Sequence, residues 1–236
     1  MQKILTAGAF LLWMAFGTAL PLQAQDTFHI FPQIADGTFS DGSYYKSTFL
    51  ILPWFDTDAA ACSLRLYGLS ATLGTSGPSN AFTIDVPVGG YYAGLTAANQ
   101  PLKTGYATLT CSDFVYAQLL YSAYSANGTK VGEATVFSSQ DSYFFKMILD
   151  YRGGSRLGIA ISNNTDITHT YELTLGSRTA TVTVGARSSV AKFVDQLMSV
   201  PADTVGILNI EATDFSEFSA IGLRYTGPVF ATIPAN

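Results

Sequence analysis

Residues 105–114 and 206–215 carry the pattern from which the rest of the chain can be read. In each, a glycine opens an alternating run and an Asp-Phe pair closes it: Gly105 to Asp113-Phe114, then Gly206 to Asp214-Phe215. Ala107, Leu109 and Cys111 fall on one face of the first run, and Leu208, Ile210 and Ala212 on the same face of the second. Alternation of apolar and polar positions marks a half-buried strand, and self-similarity at a fixed spacing marks a repeated unit.

The flanking segments extend this reading. Residues 28–32 predict a first strand that ends at Pro32, and residues 44–53 a long strand with an apolar centre. Ala60, Cys62, Leu64 and Leu66 share one face of a third strand, and Phe82, Ile84, Val86 and Val88 alternate along a fourth. Residues 114–124 pair with 130–137 across Asn127-Gly128, a strong hairpin signal. The second half retraces these steps, with Leu157 to Ile161 answering Thr48 to Leu52, and Tyr171, Leu173 and Leu175 answering Cys62, Leu64 and Leu66. Val190, Phe193, Val194 and Leu197 recur at helical spacing, which predicts one short helix over 190–198 before Pro201. Each half reads as about seven short strands. The expected fold is therefore all-β, two packed immunoglobulin-like β-sandwiches from an internal duplication. The first spans 25–138 and the second 139–236. Ser138-Ser139-Gln140 has no linker composition, so the halves are expected to pack together.

The N-terminus belongs to neither half. Lys3 supplies a positive start, residues 4–20 are almost wholly apolar, and Ala24 offers a small residue for cleavage. This is the pattern of a signal peptide over 1–24. The apolar run stops at Pro21, short of the roughly twenty residues a spanning helix needs. The expected product is secreted, extracellular or periplasmic, without membrane insertion after cleavage. Export changes the reading of Cys62 and Cys111, the only two cysteines. In an oxidising compartment an even count suggests a bridge, and both thiols point into the same core by strand parity. Charged residues make up 12% of the chain, against about 25% in an average soluble protein. The formal net charge is -5, and no basic stripe is present to neutralise phosphates, so nucleic acid is excluded as a partner.

Candidate chemistry is sparse. His29 and His169 are the only histidines, and neither has a second histidine at metal-ligand spacing. There is no HExxH, Gly-x-Ser-x-Gly, phosphate loop or dinucleotide fingerprint, so no enzyme and no cofactor is expected. Asp36-Gly and Asp41-Gly, in one loop-like stretch, are calcium candidates, although their spacing is not that of an EF-hand and Asp-Gly is also ordinary turn chemistry. Asn127-Gly-Thr129 and Asn163-Asn-Thr165 have the form of glycosylation acceptors. Aromatic residues are abundant, and Trp54, Phe55, Tyr91 and Tyr92 stand at strand ends, where rings can meet a ligand. Strand propensity alone also accounts for many of them.

Three short motifs carry a resemblance: Phe31-Pro-Gln33, the strand Gly158-Ile-Ala-Ile-Ser-Asn163, and Arg224-Tyr-Thr-Gly227. With them the chain resembles a group of uncharacterised secreted bacterial proteins built of tandem β-sandwich repeats. The resemblance implies export by a bacterium and a structural repeat, and brings no assigned activity or catalytic residue. The first half lacks a clean Gly-Ile-Ala strand. The expectation is a non-enzymatic secreted or cell-surface module that binds an unknown protein or surface through loops at one end of a sandwich. The alternative is a carbohydrate-binding module that holds a surface glycan on Trp54, Phe55, Tyr91 and Tyr92.

Overall fold

A computed structural model describes residues 26–55 and 59–235. The expected signal peptide, 1–24, lies outside the described residues. The first half forms β1 (Asp26–Thr38), β2 (Tyr44–Pro53), β3 (Ala60–Tyr67), β4 (Ala81–Val86), β5 (Tyr92–Leu95), β6 (Lys103–Tyr124) and β7 (Lys130–Phe137). The second forms β8 (Phe144–Asp150), β9 (Arg156–Asn163), β10 (His169–Leu175), β11 (Arg178–Val184), β12 (Ser188–Phe193), β13 (Val205–Ala212), β14 (Ser219–Thr226) and β15 (Val229–Ile233). The protein is all-β, with single 3-10 turns at Arg152–Gly154 and Val194–Gln196. Among the described residues no helix is long and apolar enough to cross a membrane.

The 22-residue β6 organises the first unit. Its first half pairs with β1 and β3, placing Ala107 opposite Phe31 and Leu109 opposite Leu64. Its second half pairs with β2 and β7, placing Leu119 opposite Phe49 and Val136. One continuous strand thus serves two layers, β4-β3-β6-β1 and β5-β2-β6-β7. The second unit has the layers β11-β10-β13-β8 and β12-β9-β14-β15. The strand order is the same at every step, with the role of β6 divided between β13 and β14.

Counted from the first strand, this order differs from that of a constant-type immunoglobulin sandwich. A constant-type immunoglobulin sandwich keeps its first two strands side by side in one sheet. Here β8 and β9 lie in different sheets, and β1 and β2 meet only at the corner pairs Gly37 with Tyr45 and Thr38 with Tyr44. Strand parity tells which side chains point inward but not which strands are neighbours, so the alternation pattern could not separate these topologies.

Three local expectations are also corrected. The first strand does not stop at Pro32. The β1–β6 register slips between Phe31 and Ile34, and Pro32 sits in that irregularity, where no ladder N–H is required of it. The helix expected over 190–198 is instead the edge strand β12, with Val190 opposite Ile161, followed by the 3-10 turn at Val194–Gln196. The expected break at Asp113-Phe114 is absent, because β6 runs through it. The matching break at Asp214-Phe215 does occur, with Phe215 in the left-handed region at φ 59°. The glycine that opens each run has a packing reason. A Cβ on Gly105 would lie 1.8 Å from the Tyr67 carbonyl oxygen, and one on Gly206 would lie 3.0 Å from Leu175.

Cys62 and Cys111 form the disulfide, as direct cross-strand partners on β3 and β6 with Cα atoms 4.0 Å apart. They belong to a first core with Phe31, Phe49, Leu64, Leu109 and Leu119. The second core gathers Leu157, Ile159, Tyr171, Leu173, Leu208 and Phe218. Alternation along β9 and β14 then joins the two units. Leu157, Ile159 and Ala220 point into the second core, while Ala160, Ile221 and Leu223, together with Phe230 of β15, belong to the first. Accordingly β1, buried at every residue from 29 to 37, packs against β9 and β14, and β7 packs against β15.

Candidate functional site

The outer face of β5-β2-β6-β7 is unusually apolar. Along β6, Val115, Ala117, Leu119 and Tyr121 point inward, so Phe114 and Tyr116 point out. Leu52, opposite Tyr116, points out with them, and Leu95 and Phe137 lie on the same face opposite Thr48 and Gln118. These five side chains are each 42–48% exposed. Beyond the end of β2, the Trp54 amide donates to the Phe114 carbonyl at 3.0 Å, which keeps the chain beside β6. The Trp54 ring packs on Tyr116, with centroids 4.6 Å apart and a 33° tilt. Phe55, 60% exposed, stands at 88° to Trp54. A contiguous exposed apolar surface of this kind marks an interaction site more often than a solvated face.

No family model matches this chain, and no curated protein does. The site is therefore read from its own geometry.

Of the four aromatic residues singled out in the sequence, Trp54 and Phe55 come together with Phe114 and Tyr116. Tyr91 is 67% exposed and precedes β5, which pairs Tyr92 with Ile51. Tyr92 itself turns inward against the first core, and burial pushes its phenol pKa up. Its ring occupies the space above Gly94, where a Cβ would meet the hydroxyl at 2.3 Å. Phe114, Tyr116, Leu52 and Phe137 join Trp54 and Phe55 on this face, beyond the residues that the sequence singles out. Apart from Gln118, residues 114–121 are apolar on both parities, which a singly buried strand does not require.

The calcium candidates serve the chain's own folding. Asp36 is buried, and its Oδ1 accepts the Ala98 amide at 2.9 Å. Burial pushes its pKa up, against hydrogen bonds from Thr96 and Ala98 and the charge of Lys46. Asp41 is exposed and accepts both the amide and the hydroxyl of Ser43, at 2.9 and 2.6 Å, which lowers its pKa. Among the described residues no group of three or more His, Cys, Asp or Glu side chains is placed to hold a metal.

His169 sits in a chain of polar contacts. Its Nδ1 is 2.6 Å from Asp214 Oδ2, and its Nε2 is 2.9 Å from Thr165 Oγ1. Hydrogen bonds from Ser216 and His169 hold the Asp214 carboxyl at about 2. An acid, an imidazole and a hydroxyl in series are the parts of a nucleophilic relay. Here, however, the hydroxyl donates to Asn163 Oδ1 at 2.7 Å, which leaves it engaged within the fold. The contacts tie the β9–β10 loop to the β13–β14 connection. Asn163 is fully buried, and its Nδ2 donates to the carbonyls of Ile167, Val184 and Gly185, so this sequon is a structural knot. His29 is buried in β1 opposite Leu109.

Proposed function

We propose that this chain is a secreted, non-enzymatic binding module that engages a protein or surface partner through the outer face of β5-β2-β6-β7. The observation that carries the reading is the way Trp54 packs. Sugar-binding platforms present ring faces side by side, so that successive pyranoses can stack. Trp54 instead spends one face on Tyr116, and Phe55 stands perpendicular to it. The result is a ridge of aromatic edges flanked by Leu52, Phe114 and Phe137, suited to an apolar counterpart with its own shape. Export is supported by the Cys62–Cys111 bridge, since such bonds persist in oxidising compartments.

The test is retention of the mature protein on the surface of the producing cell, with Trp54→Ala, Tyr116→Ala and a His169→Gln control. The expected result is loss of retention in the two aromatic variants only, together with crosslinks to a protein when a photoreactive group replaces Phe137. Retention on insoluble polysaccharide, abolished by the same aromatic variants, would move the site to the carbohydrate alternative.

A further inference from the structure

On the opposite side of the same sheet, between the two units, lies a cleft of about 270 Å³. The first unit contributes Gln33, Tyr45 and Tyr121, and the second contributes Phe193, Gln196 and Tyr225. Tyr45 stacks on Tyr121 at 4.7 Å, and Phe193 meets Tyr225 edge to face at 5.2 Å, so aromatic rings wall both sides. Arg156, held by two hydrogen bonds to Asp195, caps one face of Phe193 at 3.9 Å and fixes that ring.

The polar groups converge as the rings do. Gln33, Tyr45, Tyr121 and Tyr225, each carrying a polar group at the end of its side chain, all line the cleft. Gln33 is only 5% exposed, and its Oε1 has no hydrogen-bond partner. A buried amide oxygen left in this state costs free energy, and an unmet acceptor in a cleft wall is a place for a donor. The irregularity between Phe31 and Ile34 is what sets Gln33 there, since Pro32 and Gln33 together span the place of Tyr106 in the register. Bulges of this kind re-aim side chains near functional sites. Space is kept on the other wall by Gly158, where a Cβ would lie 3.3 Å from the Tyr225 ring.

We infer that this cleft binds a single neutral sugar ring, free or at the end of a glycan chain, with a ring hydroxyl donating to Gln33 Oε1 after a small turn of the amide. Its size is at the lower edge of the range of about 300–1,000 Å³ for small-molecule pockets, which suits one ring and not a chain. Aromatic walls take the C–H faces of such a ring, and the phenols and amides take its hydroxyls. No carboxylate lines the cleft, and Lys192, its one charged residue, is exposed. The site is independent of the proposed docking face: Tyr45 and Tyr121 have the inward parity of their strands, Leu52 and Tyr116 the outward.

Saturation-transfer NMR on the whole mature protein tests the inference with a panel of neutral hexoses, deoxyhexoses and N-acetylhexosamines, each as free sugar and as methyl glycoside. Binding is expected with Kd on the order of 1 mM, weakened at least about tenfold by Phe193→Ala and by Gln33→Met, and unchanged by Trp54→Ala. Phe193 lies on an edge strand, so its variant keeps the test valid if Gln33→Met disturbs the fold; circular dichroism checks both. Equal binding of sugar and methyl glycoside assigns a chain end, and loss of the glycoside alone assigns a free sugar. No transfer from any sugar, or transfer that survives Phe193→Ala, overturns the inference. Transfer lost in Trp54→Ala places the sugar on the outer face and overturns it equally.

Discussion

The hydroxyl of Tyr106, in the first unit, hydrogen-bonds Asn164 Oδ1, in the second, at 3.0 Å. Tyr106 is fully buried and lies flat on Tyr67, with centroids 4.4 Å apart. Arg187 donates to the same Asn164 oxygen at 3.0 Å. A phenol, an amide and a guanidinium therefore lock β6 to the β9–β10 loop. Tyr106→Phe keeps the stacking and removes only the hydroxyl. Because Arg187 still serves the Asn164 oxygen, no buried acceptor is orphaned, and the loss is expected to be about 0.5–1.5 kcal/mol. Urea unfolding checks it. A loss as large as that of Tyr106→Ala, about 3–5 kcal/mol by analogy with Phe→Ala, would mean the hydroxyl does far more than one neutral hydrogen bond.

The disulfide offers a second test. Cys62 and Cys111 are separated by 49 positions, and closing a loop of that length stabilises by up to about 4 kcal/mol in the chain-entropy model. They are also neighbours in a paired register, so residual β3–β6 pairing in the unfolded chain reduces the gain. The double variant Cys62→Ala/Cys111→Ala is expected to fold and to lose about 2–4 kcal/mol in urea. Both sulfurs are buried, so dithiothreitol should reduce the bridge only as fast as the chain opens. Fast reduction of the native protein, read by thiol labelling, would contradict that burial.

Both the bridge and the strand parity behind it were legible in the sequence, because a period of two assigns each side chain to a face. What that period could not supply was strand adjacency. The pairing of Leu52 with Tyr116, and hence the aromatic face, depends on which strand lies beside β2. The same limit hid the cleft, whose walls come from Tyr45 and Tyr225, residues far apart in sequence. The Val190 to Leu197 segment failed for another reason. Four apolar residues in a short window fit a helix and an edge strand alike, and pairing with β9 decides for the strand. Trp54 and Phe55 could be found because they stand at a strand end. Phe114 could not, since Asp113-Phe114 looks like a terminus and is the middle of β6.

Alkaline pH should unfold the protein in a recognisable way. Burial, the leading cause in each case, raises the phenol pKa of Tyr45, Tyr92, Tyr106, Tyr121, Tyr151, Tyr171 and Tyr225 above the ordinary value. The folded state therefore holds these protons more tightly than the unfolded chain, whose tyrosines ionise near about 10. Their stabilising contribution is complete below that pH and is lost as pH rises from there through the folded-state values. Thermal midpoints should stay level in this respect up to about pH 9 and fall steeply beyond pH 10. An ultraviolet titration should show these buried phenols ionising only with unfolding. A single titration step near pH 10 with the fold intact would show that these phenols are not buried.

The shared core predicts how the halves unfold. Ile221, Leu223 and Phe230 belong to the second unit by sequence and to the first core by packing. Neither half can then melt without exposing apolar surface of the other, and the chain is expected to unfold in one transition by calorimetry. Leu223 is buried beside Tyr225 at the base of this contact, and Leu223→Ala should cost about 2–5 kcal/mol. The more telling comparison is with Leu173→Ala, a substitution of the same kind deep in the second core alone. Both variants lose similar stability, but only Leu223→Ala weakens the tie between units. It should broaden or split the calorimetric peak, while Leu173→Ala shifts a single peak downward. Two separate transitions already present in the unaltered protein would show that the units are joined by contact without being coupled in stability.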